Sequence, residues 1–163
     1  MQAIKLRDID IQVTISTQPG IYKWYMHAFL VEELNVPVNG CHYEDKKGTL
    51  VYIGIANSMH QRLVWHVTHK HSLSQVKSGF LSTRRQTLSA LAKVPMDDTD
   101  TVDRIIDMMS VEFKYCETKD EAAKLEQNSF QSHVLPLNIM GNKHPFTKEL
   151  KRLRKESKGK VIY

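Results

Sequence analysis

The sequence predicts an α/β fold in a single domain, residues 1–163, and three observations carry that reading. Residues 21–25 and 50–55 are rich in aromatic and β-branched side chains, and residues 110–116 alternate apolar and polar positions, as strands do. Elsewhere apolar residues recur at helical spacing: Met59, Leu63 and Val67, then Leu88, Leu91 and Ala92, then Phe146, Leu150 and Leu153. Turn signals at Gln18-Pro19-Gly20, Asn39-Gly40 and Lys47-Gly48 separate these segments. A chain of 163 residues buries a hydrophobic core without staples.

Residues 4–15 alternate loosely and suit an edge strand or an arm. Residues 26–38 fit a short helix or an irregular excursion that Pro37 breaks, and 39–48 fits a hairpin connection into the strand at Leu50. Asn57 or Ser58 caps a helix over about 58–70, on which Arg62 and His66, four apart, project from one side. A polar loop follows, and then Ser82 or Thr83 caps a helix with Leu88 and Leu91 inward and Arg84 and Arg85 outward. Residues 101–109 suit a short helix. Thr118-x-x-Glu121 is a capping box opening a helix that ends near His133, and Pro145 suits the first position of a basic terminal helix over 145–157.

The formal charge is +5, and it is segregated. No Asp or Glu occurs from Lys46 to Met96, a stretch carrying Arg62, Lys70, Lys77, Arg84, Arg85 and Lys93. A second basic block holds Lys151, Arg152, Arg154 and their neighbours. Such a field attracts polyanions, nucleic acid foremost, although a solvated surface balanced by acids elsewhere gives the same composition. Two cysteines are too few for a disulfide framework, and no apolar run near eighteen residues or signal-peptide pattern is found; a soluble, cytoplasmic protein without membrane contact is the expectation. His66, His69 and His71 follow no zinc-finger spacing, and Asp97, Asp98 and Asp100 lack the glycine and terminal Glu of a calcium loop.

Glu126 stands among Ala122, Leu125, Ser129 and Phe130, in or beside the buried stripe of its helix, where a carboxylate is costly unless paired or bound to a metal. Singly, Tyr22 and Tyr52 read as core tyrosines, His66 and Arg62 as surface groups, and Glu126 as half of a salt bridge. Together they form a pattern. Gly20-Ile21-Tyr22 and Tyr52-Ile53-Gly54, thirty residues apart from tyrosine to tyrosine, resemble the two halves of the GIY-YIG nuclease signature. Arg62 falls on the helix after the second half, Glu126 on a later helix, and Asn138 in the loop beyond, as in that superfamily. Arg-x-x-x-His at Arg62 and His66 resembles its type II restriction endonuclease branch. The long connection from Trp24 to Gly48 departs from the shortest family versions.

The resemblance covers about residues 18–140 and implies a small central antiparallel sheet of about three strands flanked by helices. It implies a DNA endonuclease that uses one Mg²⁺ or Mn²⁺ per active site, held by Glu126 with oxygen ligands and waters. Arg62 would hold the scissile phosphate, and Tyr22 would take the proton from the attacking water, with Tyr52 and His66 positioning or relaying it. Asn138 would orient the Glu126 side or touch a phosphate oxygen. Lys70, Arg84, Arg85, Lys151, Arg152 and Arg154 are candidate phosphate contacts outside the active site. Double-stranded DNA cut by a homodimer leads; a nicking or repair enzyme, a mobile-element or toxin nuclease, and a non-cleaving nucleic-acid-binding domain are the alternatives.

Overall fold

The computed structural model describes residues 4–5, 15–68, 82–141 and 144–162. In chain order the elements are β1 (Ile4–Lys5), β2 (Gly20–Met26), α1 (Ala28–Glu33), β3 (Tyr43–Glu44), β4 (Gly48–Ala56), α2 (Met59–Thr68), α3 (Thr83–Leu91), α4 (Thr99–Asp107), β5 (Met109–Tyr115), α5 (Lys119–Ser132) and α6 (Thr147–Gly159). The strands form one antiparallel sheet in the order β1-β5-β2-β4-β3. Three long strands make its body, as expected. The two additional strands are two-residue edge pairings, β1 on β5 and β3 on β4, too short to register as periodic segments.

β2 lies at the centre, paired with both β4 and β5. The register slips between Trp24 and Tyr25: Trp24 faces Tyr52, while Tyr25 faces Leu50. Val51 is therefore the extra residue of a bulge, and a bulge reverses side-chain alternation beyond it. Strict alternation puts Leu50 on the face of Tyr52. Instead Leu50 packs with Ile21, Tyr25, Ile53 and Leu135, while Val51, Tyr22 and Trp24 join the main core on the opposite face.

Local chemistry sets the helix ends. Ser58 accepts from the Gln61 N–H at 3.3 Å at the start of α2, and Asp98 accepts from Thr101 N at 3.0 Å at the start of α4. Thr118 accepts from Glu121 N at 3.1 Å, and the Glu121 carboxylate reaches back to Glu117 N at 2.8 Å. The terminal helix starts at Thr147 rather than at Pro145, because Phe146 N–H bonds the His144 ring at 3.0 Å in the preceding turn. α5 packs on β2 and β4, and α6 packs on α3. Ser157 Oγ donates to Val94 O at 2.6 Å, which fixes α6 along the end of α3.

Arg84 and Arg85 do not point outward. They are only 2% and 1% exposed, because the face of α3 turned toward the sheet carries them alongside Leu88 and Leu91. Their length and charge suggested solvent, but α3 is enclosed by α4, α6 and the sheet.

Candidate active site

The two signature halves lie side by side. Tyr22 on β2 is directly opposite Gly54 on β4, and Trp24 is opposite Tyr52. A Cβ at position 54 would lie 2.6 Å from Tyr22 Oη and 2.8 Å from Tyr52 Cε1, so glycine leaves the space in which the two phenols gather. Gly20 has a similar reason: a Cβ there would come within 2.4 Å of the Lys114 carbonyl. The rings of Tyr22 and Tyr52 are 6.0 Å apart, tilted by 41°.

His66, one turn beyond Arg62 on α2, meets this pair. Its Nε2 is 2.9 Å from Tyr22 Oη, and its Nδ1 hydrogen-bonds Ser82 Oγ. Ser82 is the residue preceding α3, yet its hydroxyl makes no cap bond to the helix. It is spent on the imidazole instead. The tautomer with hydrogen on Nδ1, donated to Ser82, leaves the Nε2 lone pair to accept from the Tyr22 O–H.

The surroundings are dry and cationic. Tyr22 and His66 are each 2% exposed. Burial raises Tyr22 well above the ordinary phenol range, the Tyr52 phenol adds to this, and Arg84 and Arg62 oppose it. Burial lowers His66 well below the ordinary imidazole value of 6.5, reinforced by Arg84, Arg62 and Arg85. Both effects favour the neutral imidazole. Arg62 stands over the Trp65 ring at 5.5 Å. Arg84, expected outside the site, lies inside it: its guanidinium carbon is 3.5 Å from the Tyr52 ring centroid and 5.7 Å from that of Trp24. Arg85 donates to the His66 carbonyl at 2.9 Å and to Asp103 at 2.5 Å. Sequence reasoning missed Ser82 and the inward turn of Arg84; the signal available was that both open the helix carrying the inward Leu88 and Leu91.

Asn138 is close by but occupied. Its Oδ1 accepts from Ile53 N at 3.0 Å and its Nδ2 donates to Ile53 O at 2.7 Å. With Leu137 N bonding Val51 O at 3.1 Å, it closes the edge of β4 where β3 no longer reaches. These bonds make Asn138 a clamp on the strand that carries Tyr52.

Glu126 lies on α5 after Leu125, which packs on Ile21 and Ile53 from the second face of the sheet. Its carboxylate is half-buried and has no hydrogen bond or ion pair to the described residues, and burial raises it above the ordinary carboxylate range. The alternative reading of Glu126 as half of a salt bridge finds no partner among them. No hydrogen bond or ring contact joins Glu126 to the Tyr22–His66 pair. Among the described residues no three His, Cys, Asp or Glu side chains gather as a metal cluster. Lys70, His69 and His71 lie outside the described residues.

The outer cations divide into two groups. Arg152 is held by Glu149, at 2.8 Å, and by Glu156; Arg154 donates to Gln86 at 2.6 Å. Lys148, Lys151, Lys155 and Lys158 are exposed and spaced to form one stripe along α6. No helix among the described residues is long and apolar enough to cross a membrane.

No curated protein and no solved structure matches the chain. A family model described as the GIY-YIG catalytic domain matches residues 20–156, from the first glycine of β2 into the terminal helix. Since that span holds both tyrosine strands, Arg62, His66, Glu126 and Asn138, the chain belongs to the GIY-YIG catalytic-domain family, a family of nucleases.

Proposed function

We propose that this chain is a divalent-metal-dependent DNA endonuclease of restriction type, hydrolysing phosphodiester bonds in double-stranded DNA as a homodimer. The observation that carries the reading is the 2.9 Å hydrogen bond between Tyr22 and the buried His66, with Arg62 and Arg84 beside it. Phosphodiester hydrolysis requires an activated water and positive charge against the phosphoryl oxygens, and this arrangement offers both.

Tyr22 Oη accepts the proton of the attacking water as its own proton passes to His66 Nε2. Ser82, by holding Nδ1, keeps the imidazole turned to receive it. Arg62 binds the phosphate and stabilises charge growing on its oxygens. The departing 3′ oxygen takes its proton from solvent, and His66 returns its proton to solvent. Glu126 would hold a hard cation: its half-buried carboxylate, with no hydrogen bond or ion pair among the described residues, is one oxygen donor, and waters and substrate oxygens would supply the others. A bound Mg²⁺ or Mn²⁺ would supply charge neutralisation at the phosphate and the leaving oxygen.

One Tyr–His pair and one carboxylate per chain serve one strand, which favours two copies for a double-strand cut. The free cysteines Cys41 and Cys116 fit a reducing, cytoplasmic setting. A plasmid-cleavage assay with Mg²⁺ or Mn²⁺, run beside Glu126→Ala, tests the reading. Wild-type cutting that Glu126→Ala lacks supports it; an intact plasmid with every divalent ion, or equal cutting by both, overturns it. Sequencing the product ends separates discrete restriction sites from the random ends of a repair or toxin nuclease.

A further inference from the structure

Arg84 takes no step in the proton relay or the phosphate binding assigned above, yet it is a buried cation beside both. It is 2% exposed, and its Nε and Nη1 have no hydrogen-bond partner among the described residues. Among the described residues no acidic side chain is paired with it; its contacts are the face of Tyr52, which also hydrogen-bonds it, and the ring of Trp24. A buried guanidinium without a counter-ion is strongly unfavourable, and an apolar side chain of the same length would be more stable there. Stability therefore does not account for Arg84.

What its position does provide is an uncompensated positive charge beside a proton-transfer pair. Tyr22 comes from β2, Tyr52 from β4, His66 and Arg62 from α2, Ser82 from the turn before α3, and Arg84 and Arg85 from α3 itself. Arg154 on α6 adds a further positive charge that acts on Arg84. Among the described residues the charges acting on His66 are guanidinium groups, and Arg84 contributes most among them. In a dry site such a charge acts at several times its strength in water.

We propose that Arg84 is a positioning residue for the Tyr22–His66 pair: stacked on Tyr52 and without an acidic partner among the described residues, its guanidinium keeps His66 a neutral proton acceptor and steadies the negative charge on the Tyr22 oxygen as its proton leaves. The proton balance is that of the water–Tyr22–His66 relay, and Arg84 neither gains nor loses a proton. The assignment rests on the nuclease reading, but the electrostatic coupling at its centre is measurable without any substrate.

The test uses Arg84→Met, which keeps length and loses charge, and Arg84→Lys, which keeps charge. In full-length protein, the His66 imidazole is followed by NMR against pH, its signal assigned by its loss in His66→Gln. Arg84→Met is expected to move the His66 titration upward toward 6.5, and Arg84→Lys to leave it close to wild type. In cleavage assays the acid limb of kcat/KM should rise in parallel for Arg84→Met, with a rate loss on the order of 10²-fold near neutral pH that Arg84→Lys largely restores. An unchanged His66 titration in folded Arg84→Met overturns the proposal, as does an equal rate loss in both variants with unchanged pH limbs. If Arg84→Met does not fold, Arg84→Gln carries the same comparison. A shifted titration in a protein that cuts no DNA keeps the coupling and removes the nuclease reading.

Discussion

The phenol of Tyr22 and the imidazole of His66 meet at 2.9 Å across 44 residues of sequence, one from the central strand and one from the helix beyond its neighbour. Three local facts make the meeting possible. Gly54 opposite Tyr22 leaves the phenol its space, the four-residue step from Arg62 turns His66 to the sheet, and Ser82 holds the other ring nitrogen. A neutral imidazole hydrogen-bonded to a buried phenol is a path for a proton, and in the proposed mechanism its donor is the attacking water.

Removing either end of that path should cost rate rather than fold. Tyr22→Phe is expected to lower kcat by about 10²–10⁴-fold, with His66→Gln in the same range. Because burial and three arginines lower His66, the acid limb of the wild-type kcat/KM profile should lie below 6.5. A profile whose acid limb sits at or above that value would place the essential base elsewhere.

The same burial has a stability consequence. His66 is neutral when folded and ordinary when unfolded, so below 6.5 the unfolded chain binds a proton that the native state refuses. Stability from this group is present above 6.5 and is lost as pH falls below it. His133 and His144, also lowered by burial, act with the same sign, so the difference between wild type and His66→Gln isolates the contribution of His66. Urea unfolding from pH 7.5 to pH 5 should show a shallower decline for His66→Gln.

Much of this was legible in the sequence because strand and helix periods act locally. The tyrosines of β2 and β4, the Arg62–His66 step and the Thr118–Glu121 box all follow from spacing within one element. The bulge at Val51 did not, since a slipped register depends on the partner strand and moves Leu50 to the other face. The burial of Arg84 and Arg85 was hidden for a related reason. Which face of α3 is enclosed is decided by α4, α6 and the sheet, and a cation stacked on an aromatic ring has the same sequence signature as a solvated one. Asn138 was found as a site residue for its pattern, but its geometry gives it the backbone of Ile53.

That geometry makes Asn138 a stability residue first. Asn138→Leu leaves the buried N–H and C=O of Ile53 unpaired, at about 1–3 kcal/mol for each orphaned group. The midpoint of denaturant unfolding should fall accordingly, with cleavage lost only as far as β4 loosens. If Asn138→Leu keeps wild-type stability while losing activity, the side chain acts on substrate after all.

Glu126 should behave in the opposite way. Its raised carboxyl means that the native state pays for ionisation, a cost absent below the ordinary carboxylate range and present above it. Without divalent ions, Glu126→Gln is therefore expected to unfold at a temperature equal to or higher than wild type at pH 7. Adding Mg²⁺ or Mn²⁺ should raise the wild-type transition and leave Glu126→Gln unmoved, because only a carboxylate that binds the ion gains from it. Identical metal responses would exclude Glu126 as the ligand.

The terminal helix offers a contrast between neighbours. Arg152 is already engaged by Glu149 and Glu156, whereas Lys148, Lys151, Lys155 and Lys158 stand exposed in one stripe. Phosphate contacts release counter-ions, so each lysine that makes one steepens the salt dependence of binding by about 0.9 in log K against log salt. Replacing Lys151 and Lys155 by Gln should weaken duplex binding at low salt and flatten that slope by up to about 1.8, without changing the unfolding transition. Arg152→Gln should change the slope far less, since its charge is balanced within the helix. Fluorescence anisotropy with a labelled duplex, titrated at several salt concentrations, measures both; equal slopes for the lysine variant and wild type would move the duplex off this helix.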